Sequence, residues 1–377
     1  MRRFLYQAGL LAAVGLVLGF FVYNTAHNLE ARRIASGFGF LGREAGFEIG
    51  ESTFVAYSAA DSYARALFVG LANTFRVAAI GIVLATLLGT VIGLARLSRN
   101  WLIAKLAGAY VEVMRNVPLL VQLFLWYAVI AENLPGPREA LAPLPGAYLS
   151  NRGIAFSVPL WQSAYAWVLG AALCGAALAV GVSVWARKLQ AESGAQFPSG
   201  WVGLALVLAL PGAAFAVSGV PLAWDEPVLA GFNFTGGAAL TPEFAALLTG
   251  LTIYTAAFIA EIVRAGVLAV DRGQFEAADS LGLPRRRAMR LVILPQALRV
   301  IVPPMTSQYL NLTKNSSLAV AIGYPDLVSI ANTTMNQTGQ AVEGIAIIMA
   351  VYLSISLAIS ALMNWYNRRI ALRGASR

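Results

Sequence analysis

Eight stretches of this 377-residue chain run for about twenty residues with almost no charge, and few folds tolerate that pattern. They are Phe4–Tyr23, Leu67–Leu94, Tyr110–Ala131, Trp161–Ala186, Trp201–Val220, Phe244–Ile262, Ile301–Gly323 and Ile345–Tyr366. About twenty apolar residues in a helix cross the hydrocarbon core of a bilayer. Charged residues make up 12% of the chain, roughly half the share of a soluble domain. The expected fold is therefore all-α: a polytopic membrane protein with about eight transmembrane helices. Aromatic residues at span ends (Tyr23, Trp161, Trp185, Trp201, Trp365, Tyr366) fit interfacial anchoring.

The first stretch follows Arg2 and Arg3 and has the outline of a signal peptide. Asn24-Thr25-Ala26 is a poor small-x-small cleavage site, so an uncleaved anchor is the preferred reading. The net charge of +9 does not point to nucleic acid, because the basic residues sit between apolar spans. Nineteen of the 27 Lys and Arg fall on the side shared by the two termini. Six (Arg32, Arg33, Arg43, Arg65, Arg138, Arg152) fall on the other, and Arg76 and Lys314 lie within spans. That asymmetry predicts both termini in the cytoplasm. On this topology 132–160 and 220–242 are outer loops, and 24–66 is a moderately polar outer stretch with room for a short interfacial helix.

Counting excludes several chemistries. A single cysteine, Cys174, permits no disulfide framework, and a single histidine, His27, permits no zinc triad. No G-x-x-x-x-G-K-[ST] phosphate loop occurs. The chain is not expected to be an enzyme, nor to carry a cofactor or metal of its own.

The longest cytoplasmic stretch, Val263–Val302, contains Glu276-Ala277-Ala278, then Gly282, then Leu294-Pro295. Helix formers over 274–281 followed by Gly282 and Pro284 predict a short helix and a turn. A second helix is expected from Arg285 to a stop before Pro295. Arg285, Arg286, Arg287 and Arg290 supply charge for lipid head groups or an acidic partner. On composition alone, a basic amphipathic loop lying on the membrane is the plainer account.

The pattern Glu276-Ala277-Ala278, Gly282, Leu294-Pro295 resembles the EAA loop of ATP-binding-cassette (ABC) importer permeases. Val292 stands where that family usually has Ile. Tyr110, Glu112, Arg115, Pro118, Leu119, Leu120, Gln122 and Leu123 are similar to the Y-x-E-x-x-R-x-x-P-L-L-x-Q-L signature of the polar amino-acid permeases. Ala260–Gly266 and Lys314–Leu318 extend the likeness. The resemblance covers about 67–131 and 243–366 and implies a five-helix MetI-like permease core. It leaves an N-terminal span and an inserted helix pair outside, as in the long permease subunits of general L-amino-acid and glutamate/glutamine/aspartate transporters. The implied domains are an anchor and outer loop (1–66), a transmembrane permease domain (67–366, insertion 132–242, coupling loop 263–302) and a basic cytoplasmic tail (367–377).

The resemblance further implies an importer subunit in the bacterial cytoplasmic (inner) membrane that moves amino acids inward. Glu276, Ala277, Ala278, Gly282, Leu294 and Pro295 would couple it to a separate ABC ATPase, where ATP and Mg²⁺ reside. A second, related permease and a soluble substrate-binding protein on the outer side complete the implied assembly. A self-sufficient secondary transporter is the alternative; it predicts paired repeats with broken helices, and no repeat is evident.

Ionisable and amide groups inside spans are the remaining candidates, because their cost in lipid restricts them to protein or water. Ser307, Asn311, Lys314 and Asn315 share one helical face. That face suits either the wall of a water-filled path or hydrogen bonds between two permeases. Arg76, about 14 Å inside its span, has Asn73 and Thr74 beside it; it meets a substrate carboxylate or an acidic neighbour, or snorkels outward. Gln122 completes the candidate path. Glu261–Arg264 and Glu112–Arg115, each at i,i+3, are expected to form local ion pairs.

Overall fold

The computed structural model describes residues 2–31, 36–53, 55–219 and 223–370. In chain order the helices are α1 (Arg2–Ala31), α2 (Tyr63–Ala95), α3 (Trp101–Asn116), α4 (Leu119–Ala131), α5 (Ala164–Ser193) and α6 (Ser199–Ser218). There follow α7 (Pro242–Leu268), α8 (Arg272–Ser280), α9 (Arg285–Ala288), α10 (Leu294–Asn315), α11 (Leu327–Thr338) and α12 (Ala341–Ile370). Short strands lie between α4 and α5, namely β1 (Leu141–Leu144), β2 (Ala147–Ser150), β3 (Gly153–Phe156) and β4 (Val158–Pro159). Four more lie between α6 and α7: β5 (Trp224–Asp225), β6 (Val228–Ala230), β7 (Asn233–Thr235) and β8 (Ala238–Leu240).

Among the described residues six helices are long and apolar enough to cross a membrane: Tyr63–Ala95, Tyr165–Ser193, Ser199–Ser218, Pro242–Leu268, Arg285–Ile322 and Ala341–Arg368. Helix α1 contains a shorter apolar stretch, Gly9–Thr25. The expected span Tyr110–Ala131 is not one rod: α3 and α4 meet at 106°. Pro118 explains the break. It drives the preceding residue out of the helical region, and Val117 is extended (φ −88°, ψ 128°). The Gln122 amide then donates to the carbonyls of Met114 (2.9 Å) and Val117 (3.0 Å), which the end of α3 leaves open.

The chain divides into two compact units. The second, Pro135–Leu240, holds α5, α6 and all eight strands. Here 132–160 and 220–242 are not the plain loops expected. β1, β2, β3 and β8 form an antiparallel sheet, with Ile154 opposite Leu240 and Phe156 opposite Ala238. Two hairpin pairs, β4–β5 and β6–β7, accompany it. The turn at Pro145-Gly146, with Gly146 at φ +74°, was the available hairpin signal. Between α5 and α6, Gly175 faces the backbone of Leu206 and Gly203 faces Ala179, so small residues set that approach.

In the first unit, Met1–Leu134 with Thr241–Arg377, α2 packs along α7. A Cβ added at Gly89 would lie 2.7 Å from the Ile259 side chain, and one at Gly93 would lie 2.7 Å from the Ala260 carbonyl. Close backbone approach of this kind is how membrane helices associate when lipid offers no hydrophobic driving force. The segment that follows α1 is also part of the core. Phe40, Ala45 and Ile49 are buried against Tyr63, Leu67, Leu327 and Ile330. The Tyr63 hydroxyl donates to Gln337 Oε1 (2.8 Å), tying α2 to α11.

Gly89→Val is expected to overpack the α2–α7 seam, at a cost of about 1–3 kcal/mol, and to lower the melting temperature of the detergent-solubilised protein. Gly108→Val in α3, where nothing lies within 4 Å of the added carbon, is the matched control and should melt close to wild type.

Candidate coupling site and translocation face

Helix α8 projects between two spans, and its sequence fixes both of its ends. Asp271 caps the start, accepting from the Gly273 N–H at 2.6 Å. At the far end Gly282 sits at φ +66°, a left-handed position that glycine takes without strain. The Leu283 N–H returns to the Ala278 carbonyl (3.1 Å) and the Gly282 N–H to the Asp279 carbonyl (2.9 Å), completing a Schellman ending.

Packing divides the loop into an inner and an outer edge. Ala278 is buried and Phe275 lies in a cluster with Val270, Ile293, Ala297 and Ile301. Gln296 donates to Gln274 Oε1 at 3.0 Å and to the Val292 carbonyl at 3.0 Å. Glu276, Ala277 and Gly282 remain exposed. Leu281, which the sequence reading passed over, is 78% exposed at the tip. Its signal was an apolar residue on the charged side of a capped helix.

The second helix of the loop does not stop before Pro295. From α9 the chain passes through a single π turn, Met289–Ile293, straight into α10. A proline ring crowds the carbonyl four residues back, here that of Leu291, and opening the turn to the wider π form accommodates it. Leu294 and Pro295 thus belong to the root of a spanning helix, apart from the exposed edge of α8.

A three-charge cluster steadies the entrance to the loop. Arg264 donates to Glu261 at 2.6 Å, as the i,i+3 spacing predicted, and Arg96 from the end of α2 pairs with the other Glu261 oxygen. Glu112 and Arg115 differ: among the described residues they form no ion pair, and the Arg115 guanidinium lies 5.1 Å from the Phe258 ring centroid. Both line a cleft of about 390 Å³ with Arg96, Asn116, Phe258 and Glu261.

The seven intramembrane candidates fall into two groups. The Gln122 N–H groups are spent on the α3–α4 break, while its Oε1 is buried with no hydrogen-bond partner among the described residues. Asn73 is buried, its amide donating to the carbonyls of Glu51 (2.8 Å) and Pro325 (3.0 Å). Arg76 neither reaches open space nor snorkels. It pairs with Glu51, the two side chains being 7% and 3% exposed. It also donates to Thr53 Oγ1 at 3.1 Å and lies 4.1 Å from the Phe244 ring centroid. Thr241 donates to the second Glu51 oxygen at 2.6 Å. Glu51 escaped the sequence reading because 24–66 was taken as a loop. Close by, burial pushes the Asp326 carboxyl up to about 7, with the Ser329 and Val328 N–H groups opposing the shift.

The second group is outward-facing. Ser307, Asn311 and Lys314 are exposed and Asn315 is half-buried, while Val302, Met305, Leu312 and Thr313 on the same helix are buried. A spanning helix that turns amides and an amine outward requires water or another protein on that side.

The family model described as "Binding-protein-dependent transport system inner membrane component" matches residues 193–372. The "General L-amino acid transport system permease protein AapQ" of Rhizobium johnstonii is 49% identical over 374 residues, covering 98% of this chain and 92% of that protein. The chain belongs to this family of ABC importer permeases. The "Putative amino-acid ABC transporter permease protein YhdX" of Escherichia coli is 50% identical over 374 residues, covering 99% and 95%. The "Glutamate/glutamine/aspartate/asparagine transport system permease protein BztB" of Rhodobacter capsulatus is 42% identical over 397 residues, covering 97% and 92%. The permease is accordingly a multi-pass inner-membrane protein. Membership implies that it works with an ATPase and a substrate-binding protein.

Because Glu51 and Arg76 are buried together, Arg76→Met strands a carboxylate, and about 3–5 kcal/mol of stability should be lost. The double variant Arg76→Met/Glu51→Gln should recover much of that loss in thermal melts. Equal melting of the single and double variants would show that the pair does not hold the segment around Glu51 against α2.

Proposed function

We propose that this permease is the long transmembrane subunit of an ATP-driven importer of L-amino acids, paired with a second, related permease, with both termini in the cytoplasm. The observation that carries the proposal is α8. It is a short helix capped at both ends and locked inward by Phe275 and Ala278, with Glu276, Ala277 and Leu281 left outward. Such a surface suits a groove on a separate ATPase, where ATP and Mg²⁺ would be bound and hydrolysed. The asymmetry of nineteen basic residues against six supports a cytoplasmic position for that surface.

The outward row Ser307, Asn311, Lys314 and Asn315 would line the path for substrate released by the binding protein. Amines and amides there suit the carboxylate groups of an amino acid. The names of the relatives, which include general L-amino-acid and glutamate/glutamine/aspartate/asparagine systems, support that substrate class.

Leu281→Asp should weaken ATPase retention about 30-fold, the loss expected when a central interface anchor worth about 2 kcal/mol is removed. Quantitative co-purification from solubilised native membranes reads this directly, with Lys105→Ala as a surface control. Unchanged recovery would sink the coupling assignment. Separately, Lys314→Met in the reconstituted complex should depress uptake of glutamate more than that of a neutral amino acid while leaving ATPase retention intact. Equal uptake of both substrates by variant and wild type would remove Lys314 from the path.

A further inference from the structure

Asp326 is a fully buried acid that belongs neither to the coupling edge nor to the outward polar row. It opens α11, where its Oδ1 accepts from the Ser329 N–H at 2.8 Å and caps the helix. Three residues of α2 clamp the same stretch of chain. The Asn73 amide donates to the Pro325 carbonyl, and Thr74 Oγ1 accepts from the Leu327 N–H at 3.1 Å. A Cβ added at Gly70 would lie 3.0 Å from the Asp326 carbonyl oxygen, so the two backbones meet directly. The carboxyl thus stands on a fixed base.

Its second oxygen is the unusual feature. Oδ2 is shut off from solvent and has no hydrogen-bond partner among the described residues. The same holds for the Tyr352 hydroxyl of α12, which faces it. Tyr352 also faces Thr74 of α2 and Ser316, the residue after α10, so four helices meet around this acid. The charged and titratable groups that bear on it among the described residues are few. Tyr352 comes from α12 and Tyr324 from its own stretch of chain; Tyr324 in turn feels Glu51 and Arg76, which pair with each other. An ionised Asp326 would have the Ser329 and Val328 N–H groups and the Tyr352 hydroxyl as donors, at the favourable end of α11. Burial outweighs them, because a charge removed from water without a paired cation costs more than a few hydrogen bonds return. The neutral acid has no such cost, and its O–H can donate to the Tyr352 oxygen across the same gap.

We propose that Asp326 is a proton-operated latch: with its proton on, it ties α11 to α12 through Tyr352, and loss of the proton loosens that junction. An unfolded chain gives up this proton near the ordinary value of 3.8, the folded chain only near 7. Between those values the folded form holds more protons, so stability falls as pH rises through that window and levels off above it. Because α12 packs on both α10 and α11, a loosened latch would weaken the support of the helix that carries the outward row. The orientation given under the proposed function puts the latch toward the outer side, where the outer medium would set its state. The latch itself does not rest on that orientation.

The test is thermal melting of the whole detergent-solubilised complex across the window, for wild type, Asp326→Asn and Tyr352→Phe, in sodium chloride and in choline chloride. Relative to Asp326→Asn, wild type should melt about 3 °C or more lower at about pH 8 than at about pH 5. Tyr352→Phe removes a donor to the ionised form and should carry the fall to higher pH. Parallel profiles for wild type and Asp326→Asn would overturn the latch. So would recovery at about pH 8 in sodium but not in choline, which would make this a cation site. Should Asp326→Asn fail to assemble, a Tyr352→Phe profile identical to wild type would overturn the latch by itself. Reconstituted vesicles with enclosed ATP and separately buffered sides then test the placement. Uptake of glutamate by wild type should fall at least about twofold as the outer medium goes from about pH 6 to about pH 8, and Asp326→Asn should stay level. A response to the lumen pH alone would overturn the outer placement, and with it the proposed orientation, while leaving the latch in place.

Discussion

A polar side chain at bilayer depth has no water to fall back on, and its position is decided by whether the chain itself can satisfy it. That constraint sorts the intramembrane polar residues of this permease. Asn73, Arg76 and Gln122 find partners within the chain and become fixed points of the fold. Asn73 and Arg76 bind the segment that follows α1 through Glu51, and Gln122 closes the backbone at the α3–α4 break. Ser307, Asn311 and Lys314 find no such enclosure and are turned outward. The sorting separates residues that build the scaffold from residues on the outward face of α10, which on the proposed reading meet substrate or a second permease.

The spans were legible because their signal is local: an apolar run of sufficient length needs no tertiary knowledge. The turn at Gly282 was legible for the same reason, since only glycine takes φ +66° without strain. What sequence did not reveal depended on contacts between distant residues. Glu51 and Arg76 lie 25 positions apart, and nothing in either neighbourhood names the other. β3 and β8 pair across the inserted helices, so 238–240 reads as a loop until β3 is placed beside it, whereas the β1–β2–β3 pairings are local and had their signal at Pro145-Gly146. Pro295 misled for a different reason. As a stop signal it is sound in a regular helix, but the π turn before it absorbs the ring and lets the helix continue.

That continuity bears on how motion would travel. A loop joined to its span by flexible residues would dissipate a push from an ATPase. Here α8 is capped at both ends, pinned by Phe275 and linked through Gln274–Gln296 to the start of α10. The Arg96–Glu261–Arg264 cluster holds the other root, at the end of α7. Displacement of α8 would therefore carry the root of α10 with it and leave little slack in the loop.

The distance from Leu294 to Lys314 along α10 is about 30 Å at 1.5 Å per residue, so the coupling root and the outward polar row share one helix. Pro303 and Pro304 stand between them. Each removes a backbone hydrogen bond, at the carbonyls of Arg299 and Val300, and weakens the helix there against bending. On the proposed reading, a push at the cytoplasmic root would be relieved at this point as a change of angle in the outer half of α10, where Ser307, Asn311 and Lys314 lie. The helix thus has a stiff lever at one end, a soft joint near its middle and a polar face beyond it, which is the order of parts that coupling requires.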